Sequence, residues 1–205
     1  MNVWKKCAAS VLFCLLALPV SAQNILLVGD SISAAFGLEI EQGWVRLLEQ
    51  RLAEQNQPYE VVNASVSGDT TAGGLARLPA LLEQVSPELV VIELGGNDGL
   101  RALPVANMQQ NLSAMVSLAR EAGADVILLG MRIPPNYGPR YSEAFENAFV
   151  EVAAEHDAPL VPFLLEGAGG VEGMMQSDGV HPTAAAQPIL LDNAWPAIEH
   201  WLDGV

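Results

Sequence analysis

One of the three histidines in the chain has a neighbour that would suit a catalytic base. His181 lies in Asp178-Gly-Val-His181-Pro, three residues after an aspartate and across a glycine. Asp178 could accept the Nδ1–H of the ring and leave Nε2 free to take a proton from a serine hydroxyl. The same pair is compatible with a loop histidine beside a helix-capping aspartate. His156 and His200 fall in helical patterns and are interpreted as surface residues.

A serine in a matching position follows the first apolar run of the chain, in Gly29-Asp30-Ser31. A hydroxyl is a poor nucleophile at its own pKa, so acyl transfer through Ser31 would need a base such as His181. Ser31 could instead cap a helix or bind phosphate through backbone N–H groups. No P-loop lysine follows and the arginines are scattered, which weakens the phosphate interpretation.

These residues need elements that position them, and the pattern of apolar runs supplies such elements. Continuous Val, Ile and Leu runs are typical of strands in a parallel sheet that is covered on both faces. The runs are 25–28, 59–62, 89–94, 126–129 and, more weakly, 159–162. Helical patterns occupy 44–55, 71–84, 105–122, 141–156 and 183–202. Pro188 and Pro196 would disturb the last of these helices.

The alternation of strands and helices predicts an α/β fold, a three-layer α/β/α sandwich with a flavodoxin-like parallel five-stranded sheet. In such sheets ligands bind at the carboxyl ends of the strands. The loops after the first three predicted strands begin at Gly29, Asn63 and Gly95, and they would meet at one edge. Asn97, in the third loop, could also be an ordinary turn residue between glycines.

Four short blocks stand at the ends of these elements. They are Gly29-Asp30-Ser31-Ile32-Ser33, Asn63-Ala64-Ser65-Val66-Ser67-Gly68-Asp69-Thr70, Gly95-Gly96-Asn97-Asp98 and Asp178-Gly179-Val180-His181-Pro182. Together they resemble the blocks of the SGNH (GDSL-type) hydrolases, in that family's order. The resemblance extends over the chain from residue 23 and is strongest to the bacterial branch described as thioesterase, lysophospholipase and arylesterase. Ile32 replaces the leucine of the family's motif name, a volume-conserving change.

The resemblance implies a serine esterase that hydrolyses acyl esters and thioesters through an acyl-serine intermediate. Ser31 would be the nucleophile, His181 the base and Asp178 its orienting carboxylate. The oxyanion hole would consist of the backbone N–H groups of Ser31 and Gly68 and the side-chain amide of Asn97.

Other residues of the blocks and their surroundings have weaker assignments. Asp30 and Asp69 are expected to be structural, tying the loops together. Four residues are candidates for substrate binding: Leu75 and Leu78 in an acyl-chain groove, and Pro134 and Tyr137 in a stiff loop after the fourth strand. Core packing is an equal alternative for the apolar segment 75–82, and strand termination is an alternative for the prolines.

The first 22 residues have the layout of a secretory signal peptide, with Lys5 and Lys6 before an apolar stretch and small residues before a cut after Ala22. Residues 23–205 are then expected to form a single SGNH hydrolase domain that is periplasmic or secreted. Cleavage would remove two of the nine basic side chains and none of the 24 acidic ones, which changes the net charge from −15 to −17.

This acidic chain is not expected to bind nucleic acid, and no stable membrane insertion is expected after signal cleavage. The dispersed histidines, with both cysteines inside residues 1–22, predict no metal and no cofactor. We expect a monomer that acts on a small-molecule acyl ester or thioester. Two alternatives remain: a carbohydrate O-deacetylase on the same fold, and a non-catalytic phosphate or nucleotide binder.

Overall fold

Five parallel strands form one sheet in the computed structural model, which describes residues 23–204. The strands are β1 (Gln23–Gly29), β2 (Tyr59–Asn63), β3 (Leu89–Glu93), β4 (Asp125–Leu129) and β5 (Leu160–Val161). Their order is β2-β1-β3-β4-β5. The chain adds β2 on one side of β1 and then crosses to add β3 on the other side, so the order of strand addition reverses between β1 and β3. This is the predicted flavodoxin-like order, and the reversal creates a crevice at the carboxyl ends of β1 and β3. The predicted signal peptide, residues 1–22, lies outside the described residues.

Helices cover both faces of the sheet. In the described part of the chain they are α1 (Trp44–Glu54), α2 (Thr71–Val85), α3 (Gly96–Leu100), α4 (Val105–Glu121), α5 (Pro139–Glu155) and α6 (Gln187–Asp203). α1 packs against α6, whereas α2, α4 and α5 pack against one another in succession. The three-layer α/β/α prediction is therefore confirmed. Among residues 23–204, no helix combines the length and the apolar composition that crossing a bilayer requires.

The central strands of the sheet are buried on both sides, as their composition predicts, whereas the edge strand β2 is partly exposed. Residues 25–28 of β1 and 89–93 of β3 are buried without a break, and Trp44, Leu48 and Leu52 of α1 are buried in the same hydrophobic core. Apolar side chains at intervals of four residues lie on one side of a helix, which explains why α1 forms and how it docks.

Two helices differ from the sequence prediction. α3 lies where a loop was expected. The sequence favoured a loop because the five residues of α3 include two glycines, an asparagine and an aspartate, all weak helix formers. The predicted helix 183–202 begins instead as a 3-10 turn at Ala184–Ala186 and continues as α6. Pro188 falls in the first turn of α6, where no N–H donor is needed, so it does not disturb the helix. Pro196 is contained within α6.

Candidate active site

Ser31 lies in a tight turn immediately after β1. The Asp30 carboxylate accepts a hydrogen bond from the backbone N–H of Ile32 through Oδ1, at 3.0 Å. The backbone N–H groups of Ala34 and Phe36 donate to the carbonyls of Asp30 and Ser31, each at 3.0 Å. These local bonds hold the serine at the carboxyl end of the sheet, on the edge predicted for ligand binding.

The structure brings Ser31 together with His181 and Asp178, which lie about 150 residues later in the sequence. Ser31 Oγ is 2.9 Å from His181 Nε2, and His181 Nδ1 is 2.6 Å from Asp178 Oδ2. Asp178 Oδ1 also accepts the backbone N–H groups of Val180 and His181, at 2.9 and 3.0 Å. The result is a continuous hydrogen-bonded chain from a hydroxyl through an imidazole to a carboxylate, an arrangement that can move a proton off the hydroxyl.

The imidazole keeps this position because its loop is closed on itself and tied to the serine turn. Met175 and Pro182 form an isolated antiparallel bridge, and the backbone N–H of Gln176 donates to the carbonyl of His181 at 2.7 Å. The Gln176 side chain donates to the carbonyl of Phe36 at 2.8 Å. The Phe36 ring in turn lies 4.4 Å from the His181 ring, centroid to centroid. Phe36 and Gln176 therefore join the two loops.

The hydrogen bond from His181 also sets the charge state of Asp178. It lowers the pKa of the Asp178 carboxyl from 3.8 to about 2, with smaller contributions from the backbone N–H groups of His181 and Val180. A carboxyl with a lowered pKa is ionised across the neutral range. Asp178 is thus a permanent negative charge beside the imidazole, the form that stabilises an imidazolium.

Each of the three donors predicted for an oxyanion hole, on Ser31, Gly68 and Asn97, has an N–H without an acceptor in the described residues. Within residues 23–204, neither the Ser31 N–H nor the Gly68 N–H donates to another group of the protein. Asn97 donates one amide proton to Asp30 Oδ2 at 2.9 Å, which leaves its second amide proton free. Gly68 has a φ of +79°, a conformation that glycine adopts without strain, and its carbonyl accepts a hydrogen bond from Arg101 Nη2 at 2.8 Å.

Asp30 and Asp69 both make the loop-tying hydrogen bonds expected of them, but the partner of Asp69 was missed in the sequence. Arg77 on α2 donates through Nε to Asp69 Oδ2 at 2.8 Å. The same guanidinium donates to the carbonyls of Gly29 and Ala64. Arg77 therefore fastens the ends of β1 and β2 to α2. No sequence signal distinguishes it from a surface arginine.

A second set of missed residues fixes α3, which carries Asn97. The buried Asp98 accepts the backbone N–H of Thr71 at 2.9 Å and the Thr71 hydroxyl at 2.6 Å. Asn111 on α4 donates to the same hydroxyl at 3.0 Å. A short helix of weak helix formers is thereby held by its neighbours.

Two buried carboxyl groups are next to Ser31: Asp30 within the serine turn and Glu93 beneath it. Burial raises the pKa of Asp30 to about 6, against the opposing effect of hydrogen bonds from Ile32 and Asn97. Burial, reinforced by the nearby Asp30, raises the pKa of Glu93 well above its ordinary value. Glu93 ends β3 and is fully buried. Sequence reasoning took it as part of an apolar strand and gave it no role.

A mostly apolar cavity of about 340 Å³ adjoins the serine. Its lining includes Ile32, Gly96 and Val180, which are the sequence neighbours of Ser31, Asn97 and His181. The remaining lining residues are Leu100, Met131, Arg132, Ile133, Pro134, Pro135, Phe163, Leu165, Gly169, Gly170, Met175 and Gly179. The cavity thus borders the segments that carry Ser31, Asn97 and His181, and it has the size of a small ligand site.

Of the four residues suggested for substrate binding, the structure places only Pro134 on this cavity. Leu78 is fully buried in the hydrophobic core and Leu75 packs against that core, so the core-packing alternative applies to both. For Leu78 this is because α2 turns the side chain inward. Tyr137 is not on the cavity lining; its hydroxyl donates to the carbonyl of Leu100 at 2.7 Å.

Comparison with known proteins gives consistent matches. The model of the GDSL-like lipase/acylhydrolase family matches residues 27–188. The chain is 62% identical over 185 residues to "Esterase TesA" of Pseudomonas aeruginosa, covering 90% of this chain and 92% of that protein. It is 42% identical over 172 residues to "Thioesterase 1/protease 1/lysophospholipase L1" of Escherichia coli K12, covering 84% and 81% respectively.

Solved structures agree with the sequence matches. The crystal structure of TesA superposes with a TM-score of 0.85 at 63% identity, covering 86% of this chain and 98% of that one. The psychrotrophic esterase EstA from a Pseudoalteromonas species, inhibited by monoethylphosphonate, gives a TM-score of 0.84 at 44% identity and covers 88% and 99%.

The Asp178–His181 contact makes a titration testable. In a His181→Ala variant the pKa of Asp178 should rise from about 2 toward its usual 3.8, because the largest cause of the shift is lost while the backbone donors remain. Carboxyl ¹³C chemical shifts measured against pH report this value. His200→Ala, a change on the exposed part of α6, is the control. An Asp178 pKa that stays near 2 without the imidazole would contradict the assignment.

Proposed function

The chain belongs to the GDSL-like lipase/acylhydrolase family and is an acyl-ester hydrolase; from this premise we propose that it works through a covalent acyl intermediate on Ser31. The observation that carries the proposal is the 2.9 Å contact between Ser31 Oγ and His181 Nε2. In the first step Oγ attacks the ester carbonyl carbon and His181 takes the hydroxyl proton. The imidazolium then gives that proton to the leaving alcohol or thiol.

Deacylation uses the same groups in reverse roles. Water attacks the acyl-Ser31 carbonyl while His181 accepts its proton, and the acid leaves as Ser31 regains a hydrogen. Asp178 remains ionised throughout and stabilises each imidazolium. We propose that the Ser31 and Gly68 N–H groups and the free amide proton of Asn97 receive the oxyanion in both steps. Precedent in other hydrolases assigns one such donor about 10²–10³ in rate.

The cavity supports an acyl chain as the part of the substrate that is recognised. Its walls are mainly apolar, and they include the sequence neighbours of Ser31, Asn97 and His181. Such a surface favours a hydrocarbon chain over the hydroxyl groups of a sugar, which require polar partners. This favours acyl-chain esters over carbohydrate O-acetyl groups as substrates.

The charge of the protein bears on the leaving group. With two lysines removed, the exported chain would carry a net charge of −17, which disfavours the phosphates of coenzyme A. We propose aryl esters, lysophospholipids and simple thioesters as substrates. The names of the two relatives described above, an esterase and a thioesterase/lysophospholipase, support esters, thioesters and lysophospholipids.

We also propose that residues 1–22 are removed on export, so that residues 23–205 act as one domain in the periplasm or outside the cell. The basic, apolar and small-residue segments of 1–22 support export. The family match over residues 27–188 supports one domain. Because every proposed catalytic group comes from a single chain, a monomer suffices for activity.

A serine substitution tests the mechanism directly. Ser31→Ala should lower kcat for a short aryl ester by about 10⁴-fold or more, because the nucleophile is removed. A fluorophosphonate probe should label the wild-type enzyme at Ser31 and leave the variant unlabelled, as shown by peptide mass spectrometry. Ser67→Ala, an exposed serine in the loop after β2, serves as the control. Full turnover by Ser31→Ala with intact fold would end the proposal.

Narrowing the cavity tests where the acyl chain lies. Leu100→Trp should lower kcat/KM for a long-chain aryl ester by about tenfold while acetyl esters change little, because a bulky ring occupies space that the chain would fill. Leu103→Trp, three residues away and outside the lining, is the matched control. Parallel losses for short and long esters in Leu100→Trp would place the chain elsewhere.

Salt tests the electrostatic preference. An acyl-CoA should be hydrolysed with a lower kcat/KM than the N-acetylcysteamine thioester of the same acyl chain, and the gap should shrink as ionic strength rises. The reason is that salt screens the repulsion between an acidic enzyme and phosphates. An equal or higher kcat/KM for the acyl-CoA at low salt is the contradicting result.

A further inference from the structure

Glu93 is a fully buried carboxyl that the mechanism above does not use. It is the last residue of β3, and its side chain turns beneath the adjacent turn that follows β1. The close approach depends on Gly29, since a Cβ at that position would lie 2.8 Å from Glu93 Oε2. The space under the serine turn is therefore shaped for this carboxyl.

Glu93 contacts residues that precede and follow the nucleophile in the sequence. Its Oε2 accepts the backbone N–H of Asp30 at 3.2 Å and the hydroxyl of Ser33 at 2.7 Å. Trp44 Nε1 donates to Ser33 Oγ at 3.2 Å, so the single proton of that hydroxyl is directed to the carboxyl. Residues 30 and 33 are thus held from below, with Ser31 and Ile32 between them.

We propose that Glu93 is a positioning residue for ester hydrolysis, which holds the turn so that the Ser31 hydroxyl stays within hydrogen-bond reach of His181. This rests on the proposed role of Ser31 as nucleophile. The turn needs such support because a displacement of about 1 Å at the reacting group can cost on the order of 10²-fold in rate. The contacts act on geometry, since Glu93 itself lies behind the backbone and out of reach of a substrate.

The surroundings of Glu93 favour an uncharged acceptor. No hydrogen-bond partner contacts Oε1 within the described residues, and the neighbouring ionisable group is another carboxyl, Asp30. Burial accordingly raises the pKa of Glu93. A neutral group in this place also avoids a negative charge under the developing oxyanion. A glutamine can supply the same accepting oxygen without a charge.

The experiment compares Glu93→Leu, which removes the acceptor at similar volume, with Glu93→Gln, which retains it. Glu93→Leu should lower kcat for an aryl ester by about 10- to 100-fold with KM within about twofold, because the reacting group rather than the binding surface is displaced. Glu93→Gln should recover most of that loss. The rate of Ser31 labelling by a fluorophosphonate should follow kcat, since it reports the nucleophile without any acyl substrate.

Two further variants separate positioning from stability. Ser33→Ala deletes one of the two hydrogen bonds and should give an intermediate fall in kcat. Leu52→Ala, in the core on α1, lowers the unfolding temperature without touching the turn and should keep kcat. If Glu93→Leu does not fold, the kcat values of Ser33→Ala and Glu93→Gln still test the positioning role.

The proposal is overturned if Glu93→Leu or Ser33→Ala retains the wild-type kcat, or if Glu93→Gln is as slow as Glu93→Leu. Failure of the underlying mechanism has a different signature: wild-type enzyme that is not labelled at Ser31, or a Ser31→Ala variant that still turns over. Labelling at Ser31 with unchanged rates in the Glu93 variants removes only the positioning role.

Discussion

A hydroxyl and an imidazole separated by 150 residues in sequence lie 2.9 Å apart, and everything proposed for this protein depends on that contact. Neither partner is on a regular element. Ser31 is in a turn after β1, and His181 is in a loop before α6. The serine turn is hydrogen-bonded to two other parts of the chain: Gln176 in the His181 loop donates to the carbonyl of Phe36, and Glu93 at the end of β3 accepts the hydroxyl of Ser33. The sheet supplies the edge, and these bonds supply the distance.

The carboxyl groups around the serine are sorted by their surroundings. Asp178 is exposed and hydrogen-bonded to an imidazole, which lowers its pKa to about 2. Asp30 and Glu93 are buried, which raises theirs. Asp178 therefore provides a fixed charge where a cation must form, whereas burial disfavours the charge of Glu93 beneath the place where an anion must form. Environment separates the roles of chemically similar acids.

The sequence predicts the strands and the four motif blocks, because continuous apolar runs and the glycine-bounded motifs are local signals. The contacts that hold the site are not local. Arg77 resembles any helical arginine until its three acceptors are seen, which are two carbonyls at the ends of β1 and β2 and the carboxylate of Asp69. Glu93 was interpreted as part of an apolar strand, because the sequence of a strand does not show which groups lie beneath a neighbouring turn. For Leu78 the sequence left a groove and the core as equal alternatives, because composition cannot tell which face of α2 is turned inward; the structure buries this side chain.

α3 shows how far the site depends on tertiary structure. A five-residue segment of glycine, asparagine and aspartate has too little intrinsic stability to form a helix alone. It is helical here because Asp98 accepts hydrogen bonds from Thr71 at the start of α2, and Asn97 donates a hydrogen bond to Asp30 in the serine turn. The residue proposed to receive the oxyanion is thus fixed by the turn that carries the nucleophile. Any movement of one displaces the other, so nucleophile and oxyanion donor are positioned as a single unit.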